Sequence, residues 1–298
     1  GPNGLKSPSA PLDCGNSGTT MRLMTGILAG ASIDATLIGD ASLSRRPMAR
    51  VAEPLRSLGA SVQGEPLDGK EVPPLVIAAA EMKGGSWRQP IASAQVKSCV
   101  LLAGLCSGAP VHASEPTLSR DHTERMLAGA GIDVTRGNDE AGFFAALDAN
   151  AKDSMTNLSD SGILCVPGDI SAAAFWIVAG LIVPGSELLI EGVGLNPTRT
   201  GIIDVVRALG GSVGVANERL EGGEPVGDLL VKHEPLIKPR DLIEIGGDVI
   251  PRAIDELVVA GALAAHVEGA TRIRDAEELR VKESDRVEET VRLLEGFG

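Results

Sequence analysis

The sequence repeats one pattern four times, and this repeat constrains the fold more than any other feature. Each copy places an arginine at or just before a helix start and follows it with apolar residues at helical spacing. In the first three copies a glycine is then predicted to end the helix in a left-handed backbone conformation, and a valine-containing strand follows. The copies begin at Arg46, Arg120, Arg199 and Arg286. Such a repeat indicates supersecondary units that stack to bury a continuous core.

A second predicted helix, rich in small residues, precedes the amphipathic helix of each copy. These helices carry Ala, Gly, Leu and Val on nearly all faces, and they span residues 17–30, 94–108, 171–183 and 254–266. A helix that is apolar all round belongs in an interior. Short strands such as Leu75–Ala78 and Glu187–Glu191 separate the two helix types. We therefore predict an α/β fold in which helices pack inside sheets.

The chain length indicates how many domains to expect, and two absent motifs exclude one α/β architecture. A chain of 298 residues favours two domains. Pro167-Gly168 marks a plausible join, so we predict domains at residues 1–166 and 167–298. A doubly wound nucleotide-binding fold is excluded, because neither G-x-G-x-x-G nor G-x-x-x-x-G-K-[ST] opens a helix.

Composition excludes several classes of partner. A net charge of −13 repels nucleic acid and anionic membranes, and 2% aromatic residues cannot supply a stacking platform for single strands. The longest apolar run, residues 170–185, is shorter than the ~20 residues that a membrane span needs. Neither the cysteines nor the histidines show the spacing of a metal site. We expect a cytoplasmic monomer with buried, reduced thiols at Cys14, Cys99, Cys106 and Cys165.

An acidic protein that binds an anion must gather positive charge at one place. The start of a buried helix offers unpaired N–H groups and the positive end of the helix dipole. Three predicted starts are residues 15–20, 92–95 and 168–171. The nearby arginines, which can hold phosphate or carboxylate in a bidentate fork, are Arg22, Arg46, Arg120 and Arg286. The residues alone leave open that Asn16, Ser17 and Ser93 are simple helix caps, and that the arginines are surface charges.

Two acidic segments need a separate interpretation. Asp255 and Glu256 open a mostly apolar stretch, where a carboxylate is costly unless it has a function or a partner. Residues 282–286 read Lys-Glu-Ser-Asp-Arg and could equally be an ordinary solvated charge run. We therefore favour a functional role for Asp255 or Glu256.

Seven segments, taken in order, resemble motifs of the 5-enolpyruvylshikimate-3-phosphate (EPSP) synthase family, within the enolpyruvyl transferases. They are LDCGNSGTTMRL (12–23), GDASLSRRPM (39–48), ASAQVKS (92–98), SRDHTERML (119–127), VPGDISAAAFW (166–176), IPRAIDE (250–256) and ELRVKESDR (278–286). The resemblance covers essentially the whole chain. It implies two domains of repeated βαβαββ units, inside-out α/β barrel-like, that close over their substrates.

The resemblance also implies a reaction and assigns its residues. The enolpyruvyl group of phosphoenolpyruvate would pass to the 5-hydroxyl of shikimate 3-phosphate, releasing phosphate, without metal or organic cofactor. The implied phosphoenolpyruvate contacts are Asn16, Gly18, Arg46, Gln95 and Arg286. The implied shikimate 3-phosphate contacts are Ser93, Ala94, Gln95, Arg120, Asp255 and Lys282. Asp255 would accept the hydroxyl proton, and Glu283 would donate a proton to carbon.

The sequence departs from the family pattern at both ends. The N-terminal Lys-Ser-x-x-x-Arg motif and the C-terminal arginine and lysine contacts to phosphoenolpyruvate have no counterpart. We therefore expect the sequence to be incomplete at both ends, and this segment alone to be a weak or inactive catalyst. Gly18 stands where glyphosate-tolerant members can carry alanine, so we expect the parent enzyme to be glyphosate-sensitive.

Two other functions stay open at this point. UDP-N-acetylglucosamine enolpyruvyl transferase shares the implied fold but carries a reactive cysteine in its catalytic loop, and the SRDHTERM and ASAQ segments favour the shikimate enzyme. A non-catalytic phosphosugar-binding module on the same scaffold is the alternative from another class. The presence of both Asp255 and Glu283 argues against a loss of chemistry.

Overall fold

The computed structural model describes residues 4–140, 142–156, 165–236, 242–281 and 284–297. Contacts within the chain divide it into two units, Gly1–Gly162 (unit 1) and Ile163–Gly298 (unit 2). Each unit has its own cluster of buried aliphatic side chains. The functional domain join after residue 166 stays a prediction.

Unit 1 contains two copies of one βαβαββ arrangement. The first is β1 (Leu12–Asp13), α1 (Gly18–Gly30), β2 (Ala35–Ile38), α2 (Ala49–Ser57), β3 (Ser61–Leu67) and β4 (Lys70–Ala78). The second is β5 (Gly85–Arg88), α3 (Ala94–Ser107), β6 (Val111–Glu115), α4 (His122–Gly129), β7 (Thr135–Asp139) and β8 (Gly142–Leu147). The two sheets share one strand order, β1-β2-β4-β3 and β5-β6-β8-β7. In both, the first pair is parallel and the other two pairs are antiparallel.

Unit 2 continues the alternation of helices and strands. It contains α5 (Ile170–Ile182), β9 (Glu187–Gly194), α6 (Gly201–Ala208), β10 (Val213–Glu221) and β11 (Glu224–Lys232). There follow β12 (Ile243–Ile245), α7 (Val249–Ala253), α8 (Leu257–Ala264), β13 (Thr271–Ile273) and α9 (Arg286–Phe297). Gly168 makes a parallel bridge to Val193, in the place of a first strand beside β9. The predicted α/β repeat is confirmed.

Small residues allow the interior helices of unit 1 to approach closely. A Cβ added at Gly26 or Gly30 of α1 would lie 2.3 Å from the carbonyl oxygen of Cys99 or Ala103 on α3. Only glycine permits that approach. The glycine stops predicted after the amphipathic helices are also present. The φ angles are 101° at Gly59, 77° at Gly131 and 85° at Gly210, in the left-handed region of a helix end.

Three expectations were wrong in detail. Helix α5 is not buried all round: Phe175 is 62% and Trp176 64% exposed, because only its opposite face packs on β9, β11 and α8. The helix predicted at residues 254–266 is shorter, because residues 254–256 form a turn after α7 and α8 spans only Leu257–Ala264. Among the cysteines, Cys165 is exposed and Cys106 only partly buried. Burial raises the pKa of the Cys99 thiol to about 12.

Within the described ranges, no helix combines the length and the apolar character that crossing a bilayer requires.

Candidate active site

The start of helix α1 orders the first group of predicted site residues. Ser17 caps the helix, because its Oγ accepts the N–H of Thr20 at 3.1 Å. Asn16 is therefore free of the capping role and bridges two charges instead. Its amide nitrogen donates to Asp40 Oδ2 at 2.6 Å, and its Oδ1 accepts from Arg46 Nη2 at 2.6 Å. The Asp40 bond sets the amide so that oxygen faces the guanidinium.

A second set of hydrogen bonds joins α1 to α3. The Gln95 amide nitrogen donates to Thr19 Oγ1 at 2.7 Å, and its oxygen accepts from Arg22 Nη1. Gln95 lies in the first turn of α3, so both helix starts meet at this side chain. Sequence reasoning singled out Gln95 but gave Arg22 only a general charge role.

Gly18 leaves open space between the two guanidinium groups. A Cβ at this position would lie 3.3 Å from Arg22 Nη1 and 3.5 Å from Arg46 Nη1. Within the part of unit 1 that the structure describes, neither arginine forms an ion pair with a carboxylate. Two positive groups that lie beside a helix N-terminus and are not ion-paired are suited to an incoming anion.

The other predicted contacts of unit 1 belong to its second repeat copy. Ser93 is the N-cap residue of α3, but its side chain makes no capping hydrogen bond. Arg120 is half-buried in residues 116–121, just before α4. One turn into α3, Lys97 is paired with two buried carboxylates, Glu115 and Glu124. Lys97, Glu115 and Glu124 were not among the predicted site residues, although a lysine inside an apolar helix was a signal.

Unit 2 brings Asp255 and Arg286 together. Arg286 Nη1 donates to Asp255 Oδ1 at 2.9 Å, and both side chains are about one-quarter exposed, at 24% and 26%. They line a groove of about 430 Å³ whose other walls include Phe175, Val258 and Thr290. The predicted contacts Lys282 and Glu283 lie outside the described residues.

Glu256, the neighbour of Asp255, has a different environment. Its residue is 1% exposed, and Oε1 accepts from Ser171 Oγ on α5 and lies 3.4 Å from Arg199 Nη2. Arg199 also donates to the Ser171 hydroxyl. These contacts explain the turn between α7 and α8, because Glu256 must reach the starts of two other helices. Asp255 thus remains open to the groove, and Glu256 has a structural role.

The full sequence, residues 1–298, matches the family model described as EPSP synthase (3-phosphoshikimate 1-carboxyvinyltransferase). The chain belongs to the EPSP synthase family. It is 50% identical to the 3-phosphoshikimate 1-carboxyvinyltransferase of Brevibacillus brevis over 99% of its own length and 66% of that enzyme. The Geotalea daltonii enzyme of the same name is 49% identical over 96% of the chain and 63% of the relative.

Solved structures agree with this family assignment. An EPSP synthase structure from Acinetobacter baumannii at 2.37 Å superposes with a TM-score of 0.80 at 41% identity, covering 98% of this chain and 62% of that one. A second structure from that organism gives 0.82 at 40% identity, covering 99% and 63%. The chain has the two-domain enolpyruvyl transferase fold and spans about two thirds of these relatives. The names favour the shikimate family over UDP-N-acetylglucosamine enolpyruvyl transferase.

The described residues contain no group of three or more His, Cys, Asp and Glu side chains that could hold a metal ion.

In this EPSP synthase family member, the electrostatics of Arg22 differ from those of an ordinary arginine. Burial, with Arg50 and Arg46 nearby, lowers the pKa of Arg22 to about 10. Its Nε is buried without a hydrogen-bond partner in the described structure. A lowered pKa on a basic group means that folding disfavours its charged form, so below pH 10 the charge weakens the ligand-free fold. An anion bound beside it would relieve that cost.

We expect Arg22→Met to reduce anion binding without lowering the melting temperature of the ligand-free chain. In the unmodified chain, inorganic phosphate, as a simple anion, should raise the melting temperature by mass action, and most of that gain should disappear in the variant. Differential scanning fluorimetry with and without ligand measures both quantities.

Arg56→Met is the matched control for this prediction. Arg56 donates to both carboxylate oxygens of Glu71, at 2.8 and 3.0 Å, and this partner raises its pKa. Its loss should lower the ligand-free melting temperature and leave the ligand-induced gain intact. A full ligand-induced gain in Arg22→Met would show that Arg22 does not face the anion.

Proposed function

We propose that the whole protein transfers the enolpyruvyl group of phosphoenolpyruvate to the 5-hydroxyl of shikimate 3-phosphate and releases phosphate. The observation that carries this proposal is the pair Arg22 and Arg46, which flank Gly18 at the start of α1 and form no ion pair with a carboxylate among the described residues. Family membership supports phosphoenolpyruvate and shikimate 3-phosphate as the anions that such a group would hold. Asn16, Gly18, Arg46 and Gln95 are proposed to hold phosphoenolpyruvate, together with Arg286.

The acceptor substrate is assigned to a second set of side chains. We propose that shikimate 3-phosphate contacts Ser93, Ala94, Gln95, Arg120, Asp255 and Lys282. Gln95 already bonds across two helix starts, which supports a position shared between both ligands. Arginine and backbone N–H groups hold the phosphate and carboxylate groups in register, and such positioning supplies much of a rate enhancement.

The chemical steps need one proton acceptor and one proton donor. The 5-hydroxyl attacks C2 of phosphoenolpyruvate, Asp255 takes the hydroxyl proton, and Glu283 delivers a proton to C3. The resulting tetrahedral intermediate loses a proton from C3 and phosphate from C2, which restores the enol ether double bond. Arg286, 2.9 Å from Asp255, holds that carboxylate in position within the groove.

We further propose a cytoplasmic monomer with functional domains at residues 1–166 and 167–298.

A phosphate-release assay on the full-length protein tests this function. Phosphoenolpyruvate with shikimate 3-phosphate should give turnover in the range usual for enzymes, roughly 1–10³ s⁻¹. UDP-N-acetylglucosamine as the acceptor should give none. Release with only the nucleotide sugar would overturn the substrate assignment. Tight binding of shikimate 3-phosphate without any release would instead support a binding module.

We also expect the full-length protein to lose activity in millimolar glyphosate, and Gly18→Ala to restore part of it. The added methyl group would enter the space between the Arg22 and Arg46 guanidinium groups, and crowding of this kind costs about 1–3 kcal/mol. Inhibition curves for both proteins measure the change. Gly4→Ala is the control, because a Cβ there meets nothing within 4 Å. Full activity of the unmodified protein at millimolar inhibitor would contradict the proposal.

A further inference from the structure

A buried cluster of three charged residues lies beside the segment that carries Arg120. The Lys97 ammonium lies 2.7 Å from Glu115 Oε1 and 2.9 Å from Glu124 Oε1. Lys97 and Glu124 are 2% exposed and Glu115 is 0% exposed. Burying an ion costs several kcal/mol unless its partners are well placed, and here two carboxylates share one ammonium group. The cluster therefore carries a large desolvation cost, and no step of the proposed reaction uses its side chains.

Glu115 is the member of the cluster that reaches the neighbouring segment. Its Oε1 accepts the backbone N–H of Ser119 at 2.9 Å, and its Oε2 accepts the Ser119 hydroxyl at 2.7 Å. Glu115 is the last residue of β6, so these two bonds tie residues 116–119 back to the sheet. They hold the residue immediately before Arg120.

Lys97 connects the same carboxylate to the start of α3. Its backbone N–H donates to the carbonyl oxygen of Ser93 at 3.1 Å, so Lys97 lies one helical turn after Ser93. A continuous path of bonds thus runs from Ser93 through Lys97 and Glu115 to Ser119. Ser93 and Arg120, which we assigned to one substrate, sit at or next to the two ends of that path.

Glu124 is the third member of the cluster, and it bonds to neither end of the path from Ser93 to Ser119. It lies on α4 and pairs with Lys97 through Oε1, while its Oε2 is buried without a hydrogen-bond partner among the described residues. A separate bond between Ser98 Oγ and Thr123 Oγ1, at 2.7 Å, already holds α3 against α4. The two glutamates therefore share a charge environment but differ in what they hold.

We infer that Glu115 is a positioning residue for substrate binding. It holds the segment that bears Arg120 at a fixed place relative to the first turn of α3. Arg120 and Ser93 can then contact the same ligand without the entropic cost of ordering that segment on binding. The inference rests on the proposed function, because it takes shikimate 3-phosphate as that ligand.

The test compares Glu115→Gln with Glu124→Gln in the full-length protein. Each variant removes one negative charge from the same buried cluster and leaves Lys97 with one carboxylate. Only Glu115→Gln weakens the hold on Ser119, because the neutral amide offers one accepting oxygen in place of two charged ones and so loses one acceptor and the charge assistance of the other. Losing hydrogen bonds to a charged group should raise the KM for shikimate 3-phosphate about tenfold or more. The KM for phosphoenolpyruvate should stay within about twofold, as should both constants in Glu124→Gln.

Amide hydrogen exchange separates this inference from the proposed function. In the ligand-free protein, the Ser119 amide should exchange faster in Glu115→Gln and at an unchanged rate in Glu124→Gln. Equal effects of both variants on exchange and on KM would overturn the positioning role, because the cluster would then act only through stability. If exchange differs as expected but the unmodified protein does not use shikimate 3-phosphate, the substrate assignment fails and the anchoring of the segment by Glu115 stands.

Discussion

Asp255→Asn in the full-length protein is expected to lower kcat by about 10²–10⁴-fold, the contribution typical of a general base. Asparagine keeps the size of the side chain and can still accept a hydrogen bond from Arg286, which lies 2.9 Å away in the native protein. It cannot take the hydroxyl proton. The folded structure and the KM for phosphoenolpyruvate should therefore change little. Steady-state phosphate release over a range of both substrates measures these constants.

Asp248→Asn provides the control for this prediction. Asp248 precedes α7 in the same unit, is exposed, and makes no capping hydrogen bond with its side chain. The substitution makes the same change of charge seven residues away from Asp255 and should leave kcat unaltered. A kcat for Asp255→Asn within a few-fold of the unmodified enzyme would remove Asp255 from the proposed mechanism.

Lys97→Met is expected to lower the free energy of unfolding of unit 1 by about 3–5 kcal/mol, because it leaves two buried carboxylates without their cation. Urea unfolding followed by tryptophan fluorescence measures this loss. The chain has two tryptophans, Trp87 in unit 1 and Trp176 in unit 2. A Trp176→Phe background therefore makes the signal specific for unit 1.

Two further variants test the electrostatic origin of that loss. Lys70→Met removes an exposed lysine of β4 and should change stability by no more than about 0.5 kcal/mol. Adding Glu124→Gln to Lys97→Met should recover part of the lost stability, because one uncompensated charge is removed. If the double variant is no more stable than Lys97→Met, lost packing rather than unpaired charge explains the effect.

The repeat was readable from the sequence because its signals are local. Helical spacing of apolar residues, a following glycine and a valine-rich strand depend on neighbours within one or two turns. The structure confirms these units, and Gly59, Gly131 and Gly210 have the left-handed backbone that the pattern predicted. The start of α1 was similarly readable, although the sequence left both Asn16 and Ser17 open as its cap and the structure shows that it is Ser17.

The environments of individual charges could not be read in the same way. The sequence made Asp255 and Glu256 look alike, yet Glu256 is 1% exposed against α5 while Asp255 faces a groove. Lys97 and Glu115 are 18 residues apart and come into contact only because β6 lies beside α3. Phe175 was expected inside and lies 62% exposed, since apolar character alone does not say which helix faces find a partner.

The sequence by itself determined the repeated α/β units and the family, because these follow from local periodicity and from motifs in a fixed order, and it predicted a set of side chains that would hold anions. Tertiary structure alone decided which of those side chains meet within each unit. It placed Arg22 and Arg46 around Gly18, joined Arg286 to Asp255, and turned Glu115 toward Ser119. The reason is physical: burial and electrostatic pairing depend on distances between elements that are remote in the chain, and packing sets those distances.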